Sequence, residues 1–293
     1  MGSCESCLVE TILMLSSSHN LLAHQLAEYF AKLNEVEAIA WGGSQINGIP
    51  DPSSDIDLYV YTKSDISLAD RLEILKQSGG ASRKNVGLNY WGSGDEWFHA
   101  ASGIEIDVIY FDVKWVVKQI ENVIDHCIAR LGYTTCIWHT IRTSVILHDP
   151  HGWFQKLCQK SDIKYPEVLR KNIITYNHPV LRNIIPSYTN QLTKAVQRGD
   201  LISINHRLTA LLASYFDIIF ACNRILHPGE KRLMQIAQCR CKSLPANMES
   251  DINGLINSIC APHQELLHRL ILCLDHLDDW LKLEDIYPFP EQH

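Results

Sequence analysis

Apolar residues recur at Leu22, Leu26, Tyr29, Phe30 and Leu33, the three-and-four spacing of one helix face, so a helix is predicted over residues 19–33. Residues 36–41 form a nearly continuous apolar run and read as a short buried strand, punctuated by Gly42-Gly43-Ser44. From Asp55 to Tyr61 polar and apolar positions alternate at the start and β-formers dominate, which predicts a second strand. A helix over 68–76 follows, and beyond Gly79-Gly80 three further strands are predicted at 86–91, 96–101 and 103–111. Three strands in succession with no helix between them imply antiparallel or mixed pairing.

The pattern then changes. Helices are predicted over 113–131 and 136–142, and the run 144–147 leads into His148-Asp149-Pro150, where the proline marks a boundary. Past it strand signals vanish, and helical runs occupy 166–172, 187–197, 201–223, 249–259 and 263–283. The expected fold class is α+β: a mixed-sheet domain over residues 1–149 followed by an all-helical bundle domain over 150–293. A chain of 293 residues is long enough for two domains with separate cores.

Composition narrows the partners. The chain is 46% hydrophobic and carries 26 Lys and Arg against 33 Asp and Glu, for a formal charge of -7. An acidic chain with no basic cluster lacks the electrostatic footprint of a nucleic-acid binder, so no nucleic acid is expected as partner. No stretch approaches the roughly 20 apolar residues of a membrane span, and no positive charge precedes the short apolar run near the start. A soluble cytoplasmic protein with no membrane partner is therefore expected. The ten cysteines are scattered and suit a reducing compartment; Cys4-x-x-Cys7 has the inner spacing of a zinc pair, but no second such pair lies downstream.

Asp55 and Asp57 stand two residues apart on a predicted strand, so both point to one face while Ile56 and Leu58 point to the other. Paired carboxylates repel, and the arrangement is accounted for either by a wet strand edge or by a divalent cation between them. Oxygen ligands alone suit Mg²⁺, which takes its remaining ligands from water and phosphate. Gly43-Ser44, ten residues before Asp55, offers a flexible turn with backbone N–H groups and a hydroxyl for a phosphate. A further carboxylate arrives within Ile106-Asp107-Val108, flanked by apolar neighbours.

This succession of strand, Gly43-Ser44, spacer, Asp55-Ile56-Asp57 on a strand, then Ile106-Asp107-Val108 resembles the DNA polymerase beta-type nucleotidyltransferase superfamily over roughly residues 36–150. Within it the chain is similar to single-chain antibiotic-type enzymes, those acting on aminoglycosides and lincosamides, because a helical half follows the sheet and because of the segments Tyr90 to Trp97 and His227 to Leu233. The resemblance implies a nucleotidyltransferase that moves a nucleoside monophosphate from ATP or another NTP to a hydroxyl of a small-molecule acceptor and releases pyrophosphate. Asp55, Asp57 and Asp107 would hold two Mg²⁺ ions, and Gly43 and Ser44 would meet the triphosphate. Glu105 lies two residues from Asp107 and shares its face, either as general base or as a solvated strand carboxylate. Lys231 and Arg232 follow a Pro-Gly turn and are expected to contact the nucleotide, with a solvated helix start as the alternative. Tyr90, Trp91 and Trp97 could line a ligand, although aromatics at strand spacing more often pack in a core. Transfer to a protein or a tRNA end, or a non-catalytic nucleotide-binding module, are the alternative functions; acceptor and oligomeric state are not legible in the sequence.

Overall fold

A helix α1 over residues 18–30 leads into β1 (Val36–Trp41), β2 (Ile56–Thr62), α2 (Leu68–Gln77), β3 (Ala81–Leu88), β4 (Gly94–His99), β5 (Glu105–Asp112), α3 (Val113–Ile124), α4 (Cys136–Thr143) and β6 (Val145–His148). These strands join in one six-stranded sheet of order β3-β4-β5-β2-β1-β6. The sheet is mixed: β2 and β5 pair parallel, and the other neighbours pair antiparallel. This is a computed structural model, and it describes residues 18–42, 55–260 and 263–286.

Alternation along the two central strands decides the layers. Ile56, Leu58 and Val60 of β2 and Ile106, Val108 and Tyr110 of β5 face one way and join Leu22, Leu26 and Phe30 of α1, Ile74 and Leu75 of α2, and Trp97 of β4 in one core. The other face is divided along its length. At one end Tyr61 is fully buried, with the Trp153 and Phe154 rings 5.3 and 4.7 Å from its own and Phe111 at 5.9 Å. At the opposite end the face carries carboxylates.

Past β6 the described residues contain helices and no strand: α5 (Trp153–Ser161), α6 (Glu167–Arg182), α7 (Tyr188–Gln197), α8 (Leu201–Cys222), α9 (Leu233–Arg240), α10 (Met248–Asn257) and α11 (His263–Leu283). The fold is α+β, a mixed sheet with helices followed by an all-helical stretch. α8 starts cleanly because Asp200 accepts the Ser203 N–H at 3.0 Å, and from Ser214 to Cys222 it is buried on every side, as a central helix must be.

The chain divides into two compact units, Met1–Ile120 with Thr140–Ile163, and Glu121–His139 with Lys164–His293. The division expected at residue 149/150 therefore lies elsewhere. α5 stays with the sheet because its Trp153 and Phe154 cover Tyr61. Residues 121–139 belong with the helices because the Gly132 N–H donates to Asn177 at 3.0 Å and the Thr134 hydroxyl donates to Asp217 at 2.6 Å. Several elements also differ from expectation, among them α6, which continues to Arg182 rather than 172. β3 begins at Ala81, five residues early, through polar Ser82, Arg83, Lys84 and Asn85 at the sheet edge, where alternation gives no signal. α3 stops at Ile124 rather than 131, ahead of Cys127, whose φ of 52° no helix accommodates.

Candidate functional site

β2 and β5 lie side by side, parallel and in register, with Asp57 opposite Asp107 and Ile56 opposite Ile106. Neighbouring strands are about 4.8 Å apart and side chains alternate, so the two carboxylates stand together on the face away from the core. Asp55 precedes β2 at the same parity as Asp57, and Glu105 opens β5 at the same parity as Asp107. The four carboxylates singled out in the sequence thus share one end of one face. β4, antiparallel to β5, sets Glu96 opposite Asp107 and adds a fifth. Buried Asp95 anchors that strand, accepting the Gly87 N–H at 2.7 Å and the Tyr110 hydroxyl at 2.5 Å.

Electrostatics reports how tightly these groups are gathered. Glu105 is held above its ordinary carboxylate range, first by desolvation, then by a hydrogen bond and like charge from Glu96 and by the charge of Asp55, with Arg83 offsetting part of the rise. Desolvation and a neighbouring like charge each raise a carboxyl's affinity for protons. Tyr59, two residues past Asp57 and on its face, is raised well above an ordinary phenol, by burial first and then by Asp57, Asp107 and Asp55. The phenol therefore feels the charge of all three aspartates. Sequence reasoning did not single out Tyr59 or Glu96; the parity of Tyr59 was visible in the strand, whereas Glu96 meets Asp107 only through the β4–β5 register.

Tyr59 also explains the glycine next to the site. Gly42 pairs with Asp57 through its N–H, which donates to the Asp57 carbonyl at 2.9 Å. A Cβ on Gly42 would lie 2.2 Å from Cε2 and 2.9 Å from the hydroxyl of Tyr59, so the tyrosine ring rests directly on the glycine backbone. Gly43 and Ser44 lie outside the described residues. Lys231 and Arg232 belong to the second unit, where both are exposed and Arg232 precedes α9 at a φ of 56°. Trp97 packs in the core opposite Ile106, whereas Tyr90 and Trp91 are exposed beside each other at the β3–β4 turn. The three aromatics therefore do not make one wall.

The acidic side chains gathered at this end of the face offer oxygen donors. Among the described residues no group of three or more His, Cys, Asp or Glu is arranged to hold a metal ion alone. The residues nevertheless fit Mg²⁺ in its common mode, in which one or two carboxylates share the ion with waters and substrate phosphates. Eight cysteines of the described residues are unbridged thiols. No helix of the described residues is long and apolar enough to cross a membrane.

Comparisons with known proteins assign no chemistry. Residues 134–233 match a domain of unknown function, DUF4037, a segment that includes Lys231 and Arg232 and none of the carboxylates. No curated protein matches the chain. Among solved structures it is similar to a nucleotidyltransferase-like protein from Exiguobacterium sibiricum 255-15, 12% identical, over 89% of this chain and 73% of that one, with a TM-score of 0.41.

Proposed function

We propose that the chain is a metal-dependent nucleotidyltransferase that moves AMP from ATP to a hydroxyl of a small-molecule acceptor. The observation that carries this reading is the register of β2 and β5, which sets Asp57 opposite Asp107 on the face away from the core. Asp57 and Asp107 hold the metal, and Asp55 supplies a further oxygen. Mg²⁺ held by these residues would supply neutralisation of the triphosphate charge and a lowered pKa for the acceptor hydroxyl. The acceptor oxygen attacks the α-phosphorus, a new P–O bond forms, the bond to the bridging α–β oxygen breaks and pyrophosphate leaves. Glu105 takes the proton given up by the hydroxyl, a role that calls for a carboxyl whose affinity for protons is raised. Gly43 and Ser44 contribute N–H and hydroxyl donors to the phosphates.

The test uses α-labelled ATP, Mg²⁺ and a panel of hydroxyl-bearing acceptors, with titration calorimetry of Mg²⁺-ATP alongside. Wild type binds the nucleotide and transfers label, while Asp57→Asn loses transfer by about 100-fold or more yet stays folded, since removing one of two repelling charges does not harm the apo fold. Retention of full transfer in Asp57→Asn overturns the assignment. Label on the protein itself would redirect the acceptor to a side chain.

A further inference from the structure

We propose that Tyr59 is a positioning residue of the carboxylate face: its ring, seated on Gly42, walls off the space beside Asp57 and keeps that carboxylate turned for metal binding. The inference rests on the function proposed above and names a part of the site that neither the motif nor the comparisons assign. Gly42 and Asp57 face each other across β1 and β2, so a side chain at residue 42 would project on the same face as the Asp57 carboxylate. Nothing grows there, because Gly42 has no Cβ. The vacant space is filled instead by the Tyr59 ring, whose Cε2, Cζ and hydroxyl lie 2.2, 2.7 and 2.9 Å from where that Cβ would be.

The ring is itself fixed from behind. Phe111 of β5 lies 5.8 Å from it and 5.9 Å from Tyr61, and Trp115 stacks on Phe111 at 5.7 Å. An aromatic row thus runs from the dry end of the face toward the wet end, and Tyr59 is its last member before the carboxylates. A side chain held this firmly restricts its neighbours' rotamers as close packing does elsewhere. Removing the ring leaves a gap beside Asp57, and freedom of that carboxylate costs metal affinity. Restoring a side chain at residue 42 while the ring is present pushes the ring out instead.

The pair makes a double-mutant experiment decisive. Gly42→Ala lowers the melting temperature of the metal-free protein, and Tyr59→Leu lowers it also, but the double variant loses less than the sum because the ring the new methyl would strike is gone. Tyr59→Leu raises the Mg²⁺ concentration needed for half-maximal transfer about tenfold and weakens Mg²⁺-ATP binding in calorimetry, with near-normal kcat at saturating Mg²⁺. Tyr59→Phe keeps the ring and stays within about twofold of wild type on both readouts. Additive melting losses overturn the ring-on-glycine contact as a coupled pair. Wild-type Mg²⁺ dependence in a folded Tyr59→Leu that transfers nucleotide overturns the positioning role and leaves the function standing. Failure of wild type to bind Mg²⁺-ATP or transfer label removes both readings, and the melting coupling still reports separately on the contact.

Discussion

Asp217 is a carboxylate buried inside α8 whose oxygens accept from the Thr134 N–H at 3.2 Å and the Thr134 hydroxyl at 2.6 Å. Those bonds do not outweigh desolvation, and its pKa is pushed up from 3.8 to about 7. The folded state therefore holds a proton that the unfolded state releases. Stability from this group is complete below pH 3.8 and is lost as pH rises toward 7, by about 4 kcal/mol in all. His227, 0% exposed, and His139 move the opposite way: desolvation depresses both from 6.5 to about 4, so their stability is present above 6.5 and lost as pH falls through 4. Between pH 4 and 6.5 the slopes oppose. Asp217→Asn, which keeps an acceptor for Thr134, steepens the rise of stability with pH across that window in urea unfolding. Parallel profiles for the two proteins would place the Asp217 proton elsewhere.

At the scale of elements, α5 shows what a short helix contributes. Phe154 is 0% exposed and its ring lies 4.7 Å from that of Tyr61, so Phe154→Ala leaves a cavity beneath the sheet. The expected cost is about 3–5 kcal/mol, read from denaturant midpoints at constant slope, and a loss under 1 kcal/mol would mean the helix is a loose cover. This helix was not legible in the sequence, nor was α9, although the alternation of β2 and β5 was. The reason is range. Asp55, Asp57 and Asp107 were found because period-two alternation is local and each strand carries it within a few residues. Glu96 and the Tyr59–Gly42 contact depend on which strands pair and in what register, and no stretch of chain states that by itself. A ligand wall of Tyr90, Trp91 and Trp97 was the lesser alternative to core packing, and it stayed open because spacing does not say which side of the sheet a strand turns to the core. Polar β3 failed differently: an edge strand is kept polar to discourage further pairing, which erases the apolar signal that marks a strand.

The whole molecule inherits the crossing of its chain between units. Pro150 suggested one seam, yet residues 121–139 belong with the second unit and 140–163 with the first. A fragment of residues 1–149 therefore lacks α5 and strands 121–139 without Asn177 and Asp217. It should show a broad melting transition, weak near-UV dichroism and rapid proteolysis, while the full chain resists; a cooperative melt of 1–149 would show that α5 is dispensable.

The same threading sets a timetable for the chain as it is made. The β5 strand has emerged once residue 112 leaves the ribosome, but the aromatic cover over Tyr61 arrives only with residues 153 and 154. Residues 132 and 134 appear earlier still than their partners: Gly132 waits 45 residues for Asn177, and Thr134 waits 83 for Asp217. At about 5–20 residues per second, that leaves several seconds in which backbone groups destined for the interior face water or a chaperone. The residues of the first unit are all made by residue 163, whereas the second still waits at residue 217, and His178 waits 100 residues for Asp278.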